Sequence, residues 1–210
     1  MKRIQQILND PRLWTLHVKI VTNDYRGIKE ILRRELPSQH EARLLDLGCG
    51  SGGLTPFFRE YNYVGVDINV EHLRFARERT GEPFVLMNAE RLGFGDGLFD
   101  CVVAIGLCHH LSDDELHRFL IEVRRVCKPQ STLITVDRTE VVSQWNLPGR
   151  LLRVACEQGK YVRRLEAYRP IMAQHFFIQK DYVFLDGLID YCVFVLRPTA
   201  HRAEAEKRIS

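Results

Sequence analysis

The stretch LLDLGCGSGG, residues 44–53, decides the fold. A run of apolar residues, broken only by Asp46, leads into a turn crowded with glycine. Apolar runs without alternation mark strands buried on both faces, hence a parallel sheet covered by helices. Gly48, Gly50 and Gly52, with Cys49 among them, put bare backbone where a ligand must approach closely. The chain is expected to leave this turn in a helix.

The same letters satisfy GxGxxG through Gly48, Gly50 and Gly53, a dinucleotide fingerprint, so the glycines alone leave the cofactor open. Asp46, two residues before the first glycine, separates the choices. A carboxylate there would oppose the pyrophosphate of NAD unless something neutralised it. It suits a cationic ligand. S-adenosylmethionine carries a sulfonium and an ammonium and no phosphate. Asp67 closes the next apolar run, YVGVDI (63–68), and can accept from both ribose hydroxyls of either cofactor. Asn88 closes a third run, PFVLMNA (83–89). Its amide can meet the adenine amino group, with backbone at Ala89 or Glu90 meeting the ring edge, although a lone asparagine there is more often a turn former.

Two further β-rich runs follow, DCVVAIG (100–106) and TLITVD (132–137), separated by a helical pattern from Ser112 to Lys128. Ser112 and Glu115 form a capping box, and Pro129 stops the helix. Upstream, a helical pattern covers Arg3 to Asn9 and stops at Asp10-Pro11. A second runs from an Asp24 cap to Leu36. Downstream, Gln144 to Ala173 looks helical with interruptions. His175 to Leu196 reads as a closing antiparallel hairpin turning at Asp186-Gly187.

LLDLGCGSG, YVGVDIN, NAERLGFGDGLFDCVVAIGLCHHL and RRVCKP, in that order, resemble the class I S-adenosylmethionine-dependent methyltransferases. The likeness is to their small-molecule, quinone and natural-product branch. The resemblance covers about residues 43–137. It implies an α/β, Rossmann-like, doubly wound sheet of seven strands, mostly parallel with an antiparallel last strand and helices on both faces. It also implies S-adenosylmethionine as cofactor and S-adenosylhomocysteine as product. By the family pattern Asp46, Gly48 and Gly50 line the methionyl side, and Asp67 holds the ribose. Ile68 packs on adenine, Asn88 and Ala89 read its edge, and backbone near Ile105 meets the methionyl amine. The Lys-Pro of the family is often followed by two glycines, where this chain has Gln130-Ser131. A single domain is expected: a helical lid (1–40), the cofactor core (43–137), an acceptor-side insertion (138–173), the hairpin (174–198) and a polar tail (199–210).

Methyl transfer from a sulfonium needs alignment and exclusion of water, plus a base when the acceptor is a hydroxyl. His109 and His110 follow the fourth strand and are the candidate bases; packing is the plainer role for either. Tyr25 and Arg26 open the helix expected to lid the cofactor. Residues 138–169 hold seven basic and three acidic residues, a balance of +4 against +3 for the whole chain. Trp145, Tyr161 and Tyr168 are interleaved. Trp145, Tyr168 and His175 are the candidate acceptor contacts, and the basic residues suit an anionic acceptor or form a solvated helix face.

With 210 residues, 45% hydrophobic and 27% charged, the chain has the composition of an ordinary globular domain. Its longest unbroken apolar run, Cys101 to Cys108, has eight residues. A spanning helix needs about 20, so no transmembrane segment is expected. MKRIQQILND does not read as a secretory signal. None of the six cysteines forms a CxxC pair. They read as small core hydrophobes in a reducing, cytoplasmic setting, with no metal. A charge of +3 does not call for nucleic acid as partner. The expected function is methyl transfer to a small molecule, at oxygen, by a monomer or homodimer. The alternatives are an RNA or protein methyltransferase, a non-catalytic cofactor-binding subunit, and an NAD-linked oxidoreductase.

Overall fold

The computed structural model describes residues 10–37, 41–140, 159–186 and 189–199. The expected helix over Arg3–Asn9, Trp145, Gly187 and the tail beyond 199 lie outside them. A single sheet carries seven strands: β1 (Arg43–Leu47), β2 (Asn62–Asp67), β3 (Phe84–Leu86), β4 (Phe99–Ile105), β5 (Cys127–Arg138), β6 (Phe176–Asp186) and β7 (Ile189–Pro198). Their order is β3-β2-β1-β4-β5-β7-β6. β1 to β5 pair in parallel, and β7 is antiparallel to both β5 and β6. The order reverses between β1 and β4, the place where open α/β sheets bind ligands at their carboxyl edge. This is the expected fold class, with all five apolar runs forming strands.

Among the described residues five α-helices flank the sheet: α1 (Pro11–Val21), α2 (Arg26–Glu35), α3 (Val70–Thr80), α4 (Asp113–Val126) and α5 (Leu165–His175). Strand residues alternate between two apolar layers. Leu45, Leu47, Val102 and Ala104 pack toward α4 and α5, with Phe119, Leu120 and Met172. Leu44, Cys101, Val103, Ile134 and Val136 pack on the other face against Ile28, Ile31 and Leu32 of α2. Burial on both faces is why the runs show no polar alternation.

Two local expectations are corrected, and a third is added to. Asp10-Pro11 starts a helix, while the pattern it was expected to stop lies outside the described residues. Asp10 Oδ1 accepts the Arg12 and Leu13 N–H groups at 2.8 and 3.3 Å, and Pro11 occupies the first helical position, where no N–H is needed. Asp24 does not cap α2. It lies at φ 54° and pairs with Lys29 at 2.7 Å. The first N–H groups of α2, those of Gly27 and Ile28, go to Asp186 Oδ2 of β6 at 3.1 and 3.3 Å, a cap from across the fold. The glycine turn does not enter an α-helix but a single 3₁₀ turn, Thr55–Phe58. Pro56 and the start of β2 at Asn62 leave no room for more. The Ser112–Glu115 capping box is present as expected.

Candidate active site

Gly48, Gly50 and Gly52 all take positive φ (74°, 52° and 70°), backbone that side-chain-bearing residues avoid. A Cβ on Gly50 would meet only the His72 ring, 4.0 Å away, so the turn faces open space there. Arg79 of α3 pins the turn from outside, donating to Ser51 O at 3.1 Å and Gly52 O at 2.6 Å.

Asp46 is buried at the end of β1 and accepts a hydrogen bond from the Tyr63 hydroxyl at 3.0 Å. Tyr63 also meets Thr55 Oγ1 at 3.1 Å. Gly65 lies opposite Asp46 in register, and a side chain on it would strike the Tyr63 hydroxyl. Burial pushes the Asp46 carboxyl up to about 7; the Tyr63 hydrogen bond pulls it down and the Asp67 charge pushes it further up.

Asp67 accepts the Gly50 N–H on one oxygen and the Asn69 N–H on the other, both at 2.8 Å. Each carboxylate oxygen keeps a lone pair. Next to it Ile68 is 74% exposed, an apolar side chain left uncovered. Asn88 Oδ1 accepts the Glu90 N–H at 2.8 Å, the turn-forming role that a lone asparagine favours. The Glu90 N–H is spent there, and its carboxylate pairs with Arg118 at 2.7 Å. The Ala89 N–H keeps no partner among the described residues.

At the ends of β4 and β5, His109 Nδ1 meets Asp137 Oδ1 at 2.5 Å, with both side chains buried. Asp137 also accepts the Cys108 and His109 N–H groups, at 2.5 and 3.1 Å. The His110 ring lies 4.1 Å from that of His109 and is open to solvent on one side. Its pKa is pushed down to about 4, by the protein packed around its other side and then by the charges of His109 and Arg138. Gly159 passes against the His109 ring, where a Cβ would fall 2.3 Å from Cδ2. Arg163 staples this segment down, donating to Leu111 O at 2.7 Å and pairing with Asp113 at 2.7 Å.

Residues 45–135 match the family described as a methyltransferase domain. Over 102 residues the chain is 35% identical to the fatty-acid O-methyltransferase of Mycolicibacterium smegmatis, across 45% of this chain and 36% of that one. Over 162 residues it is 26% identical to the probable tRNA methyltransferase 9B of Homo sapiens, across 68% of this chain and 35% of that one. The chain thus spans well under half the length of these relatives. Its fold is that of geranyl diphosphate C-methyltransferase from Streptomyces coelicolor, solved with S-adenosyl-L-homocysteine. The TM-score is 0.65 and the identity 15%, with 82% of this chain and 75% of that one covered. Residues 45–135 match a methyltransferase domain, on the fold of the class I enzymes that use S-adenosylmethionine.

The residues of this methyltransferase domain fit that cofactor. Two carboxylates on β1 and β2 suit a cation and a ribose, the turn is open at Gly50, and Ile68 offers an uncovered apolar face. α1 lies across the turn. Thr15 Oγ1 bonds Ser51 Oγ at 2.7 Å, and the Trp14 ring stacks on His72 at 6.3 Å. Tyr25 reaches the same turn, its hydroxyl filling the space that a side chain on Gly53 would need. Ile105 ends β4 beside the cleft, half-buried.

Two expected acceptor contacts lie elsewhere in the fold. Tyr168 is fully buried within the α5 layer, its ring against Phe194 and under the Arg163 guanidinium, because its helical position faces the core. His175 lies at the opposite, amino edge of the sheet. β6 starts there opposite the end of β7, and His175 Nε2 meets His117 Nδ1 of α4 at 2.8 Å. Tyr63, Arg79 and Asp137 escaped sequence reasoning. The mid-strand Gly65 was the available signal for Tyr63, since such a glycine marks a close approach.

Proposed function

We propose that the protein moves a methyl group from S-adenosylmethionine to an oxygen of a small-molecule acceptor. The observation that carries the reading is the acidic pair, Asp46 and Asp67, around an open glycine turn in a methyltransferase domain. When bound, S-adenosylmethionine supplies a methyl carbon on a positively charged sulfur, whose departure as a neutral thioether needs no acid. Asp46 favours that positive charge from beneath the turn. Asp67 accepts the ribose hydroxyls, Ile68 packs on the adenine, and Asn88 with the Ala89 N–H meets its edge. Backbone at Gly48, Cys49, Gly50, Gly52 and Ile105 surrounds the methionyl part, and α1 with Tyr25 excludes water.

His109 is the base. Asp137 fixes its ring through Nδ1 and leaves Nε2 to take a proton from the acceptor hydroxyl. His110 borders the same space. The oxygen acceptor and the small-molecule class are supported by the fatty-acid relative. The free cysteines among the described residues, Cys49, Cys101, Cys108, Cys127 and Cys192, support a cytoplasmic place. Among the described residues no helix is long and apolar enough to cross a membrane.

A second reading, methylation of RNA, is favoured by the tRNA-methyltransferase relative. Transfer of labelled methyl from S-adenosylmethionine into a fractionated extract of the native host separates the two. Label in the small-molecule fraction, lost with Asp67→Asn, supports the first. Label confined to RNA, with binding that weakens steeply with salt, supports the second.

A further inference from the structure

Arg138 ends β5 at the carboxyl edge, two strands from Asp46. By register Asp46 is level with Ile134, so Arg138 also lies four residues further along β5; at about 4.8 Å per strand and about 3.3 Å per residue the two backbones are about 16 Å apart across the mouth of the cleft. Its side chain is half-buried, yet it makes no hydrogen bond or ion pair among the described residues. Three other basic residues of the 138–169 segment are committed: Arg163 to Asp113, Arg164 to Glu140 and Arg169 to Asp181.

Around Arg138 the neighbours supply donors. In register it lies opposite Tyr191 of β7. Its charge reaches His17 of α1 and His110 after β4, lowering the pKa of both. The adjacent Asp137 turns to the other face of the sheet, where its oxygens already accept three N–H groups. Asp186 of β6, whose charge reaches Tyr191 as that of Arg138 does, spends Oδ2 on the Gly27 and Ile28 N–H groups. Asp46 and Asp67 stand on β1 and β2, the half assigned to the methyl donor, although Asp67 does extend some charge to His110. The cleft is therefore polarised, acidic over β1 and β2 and basic over β5. A half-buried guanidinium with no ion pair among the described residues carries a desolvation cost that a bound oxyanion offsets, and its planar fork matches a carboxylate or phosphate.

We propose that Arg138, flanked by His17 and His110, anchors an oxyanion group, carboxylate or phosphate, of the methyl acceptor. The assignment rests on the methyltransferase reading of the cleft. It makes the acceptor an anion and separates the group that binds it from His109.

The test uses the full chain saturated with S-adenosylhomocysteine and three probes sharing one apolar body: octanoate, octyl phosphate and octanol. Calorimetry is expected to show both anions binding at least ~10-fold tighter than octanol, the scale of a charge-assisted hydrogen bond. Arg138→Gln abolishes the difference, Arg138→Lys retains part of it, and both variants bind S-adenosylhomocysteine within about 2-fold of the parent. In the parent, octanoate raises the NMR-detected titration midpoints of His17 and His110, as Arg138→Gln does without any probe. An anion preference that survives Arg138→Gln, or no preference in the parent, overturns the proposal. So does a ~10-fold loss of S-adenosylhomocysteine affinity in Arg138→Gln, which would assign the arginine to the donor's own carboxylate. Failure of the parent to bind S-adenosylhomocysteine at all sinks the methyltransferase reading, while the probe comparison, run without it, still decides the role of Arg138.

Discussion

Tyr63 on β2 donates its hydroxyl to Asp46 on β1 at 3.0 Å, through space that Gly65 leaves empty. The bond holds a buried carboxyl whose pKa nonetheless rises to about 7, because burial outweighs it. A carboxyl raised above its unfolded value keeps its proton longer in the folded state, so the folded state loses stability as pH rises from about 4 to about 7. Asp46→Asn removes that loss. Thermal melts should show the variant more stable than the parent at pH 8, with the gap narrowing toward pH 5. A gap that does not change with pH would show that the Asp46 proton contributes nothing to stability.

The same substitution separates the two forms of the cofactor. S-adenosylmethionine carries the sulfonium and S-adenosylhomocysteine does not, while the rest of the ligand is shared. Asp46→Asn should weaken S-adenosylmethionine several-fold more than S-adenosylhomocysteine, since a nearby unit charge at a half-buried site is worth on the order of 1–4 kcal/mol. Equal losses in a calorimetric comparison would remove the sulfonium from the role of Asp46.

Asp67 is both a ligand-facing acid and a clip for the Gly50 and Asn69 N–H groups. Asp67→Ala should cost stability as well as affinity, about 1–3 kcal/mol for the two released bonds. Asp67→Asn keeps an acceptor for one of them and should lose cofactor affinity by ~10-fold with a smaller drop in melting temperature. Parent-like affinity in Asp67→Asn would contradict the ribose assignment.

Gly159 is the contact that a side chain would break, because a Cβ there would overlap the His109 ring and that ring is locked by Asp137. Gly159→Ala and Asp137→Asn should each lower turnover by ~100-fold while leaving cofactor affinity near the parent, the scale of a displaced general base. Full turnover in both would leave His109 as a packing residue.

The five parallel strands were legible because double-sided burial writes itself as unbroken apolar runs, and the α4 start because Ser112 and Glu115 cap it locally. Asp10-Pro11 was ambiguous, since the same pair can end one helix or begin the next. What stayed hidden depends on register or distance in sequence. Tyr63 reaches Asp46 only once β1 and β2 are aligned, and His109 finds Asp137 across 28 positions. Tyr168 misled because an aromatic residue at helical spacing reads equally well as core or as ligand wall. His175 misled because only the direction of β6 reveals that it begins at the far edge of the sheet.

That far edge carries its own pH dependence. Burial, then His117 and Arg124, lower the His175 pKa beside the 2.8 Å contact with His117. A histidine held neutral in the fold costs stability as pH falls below its unfolded value near ~6.5. The parent should lose more melting temperature between pH 7 and pH 5.5 than His175→Gln does, and identical losses would contradict this.

The most direct test of the acidic cleft is calorimetric titration of the unmodified protein with S-adenosylmethionine, S-adenosylhomocysteine and NADH in the same buffer. The carboxylates of Asp46 and Asp67 predict that the first two bind and NADH does not; NADH binding as tightly as S-adenosylmethionine would contradict the account.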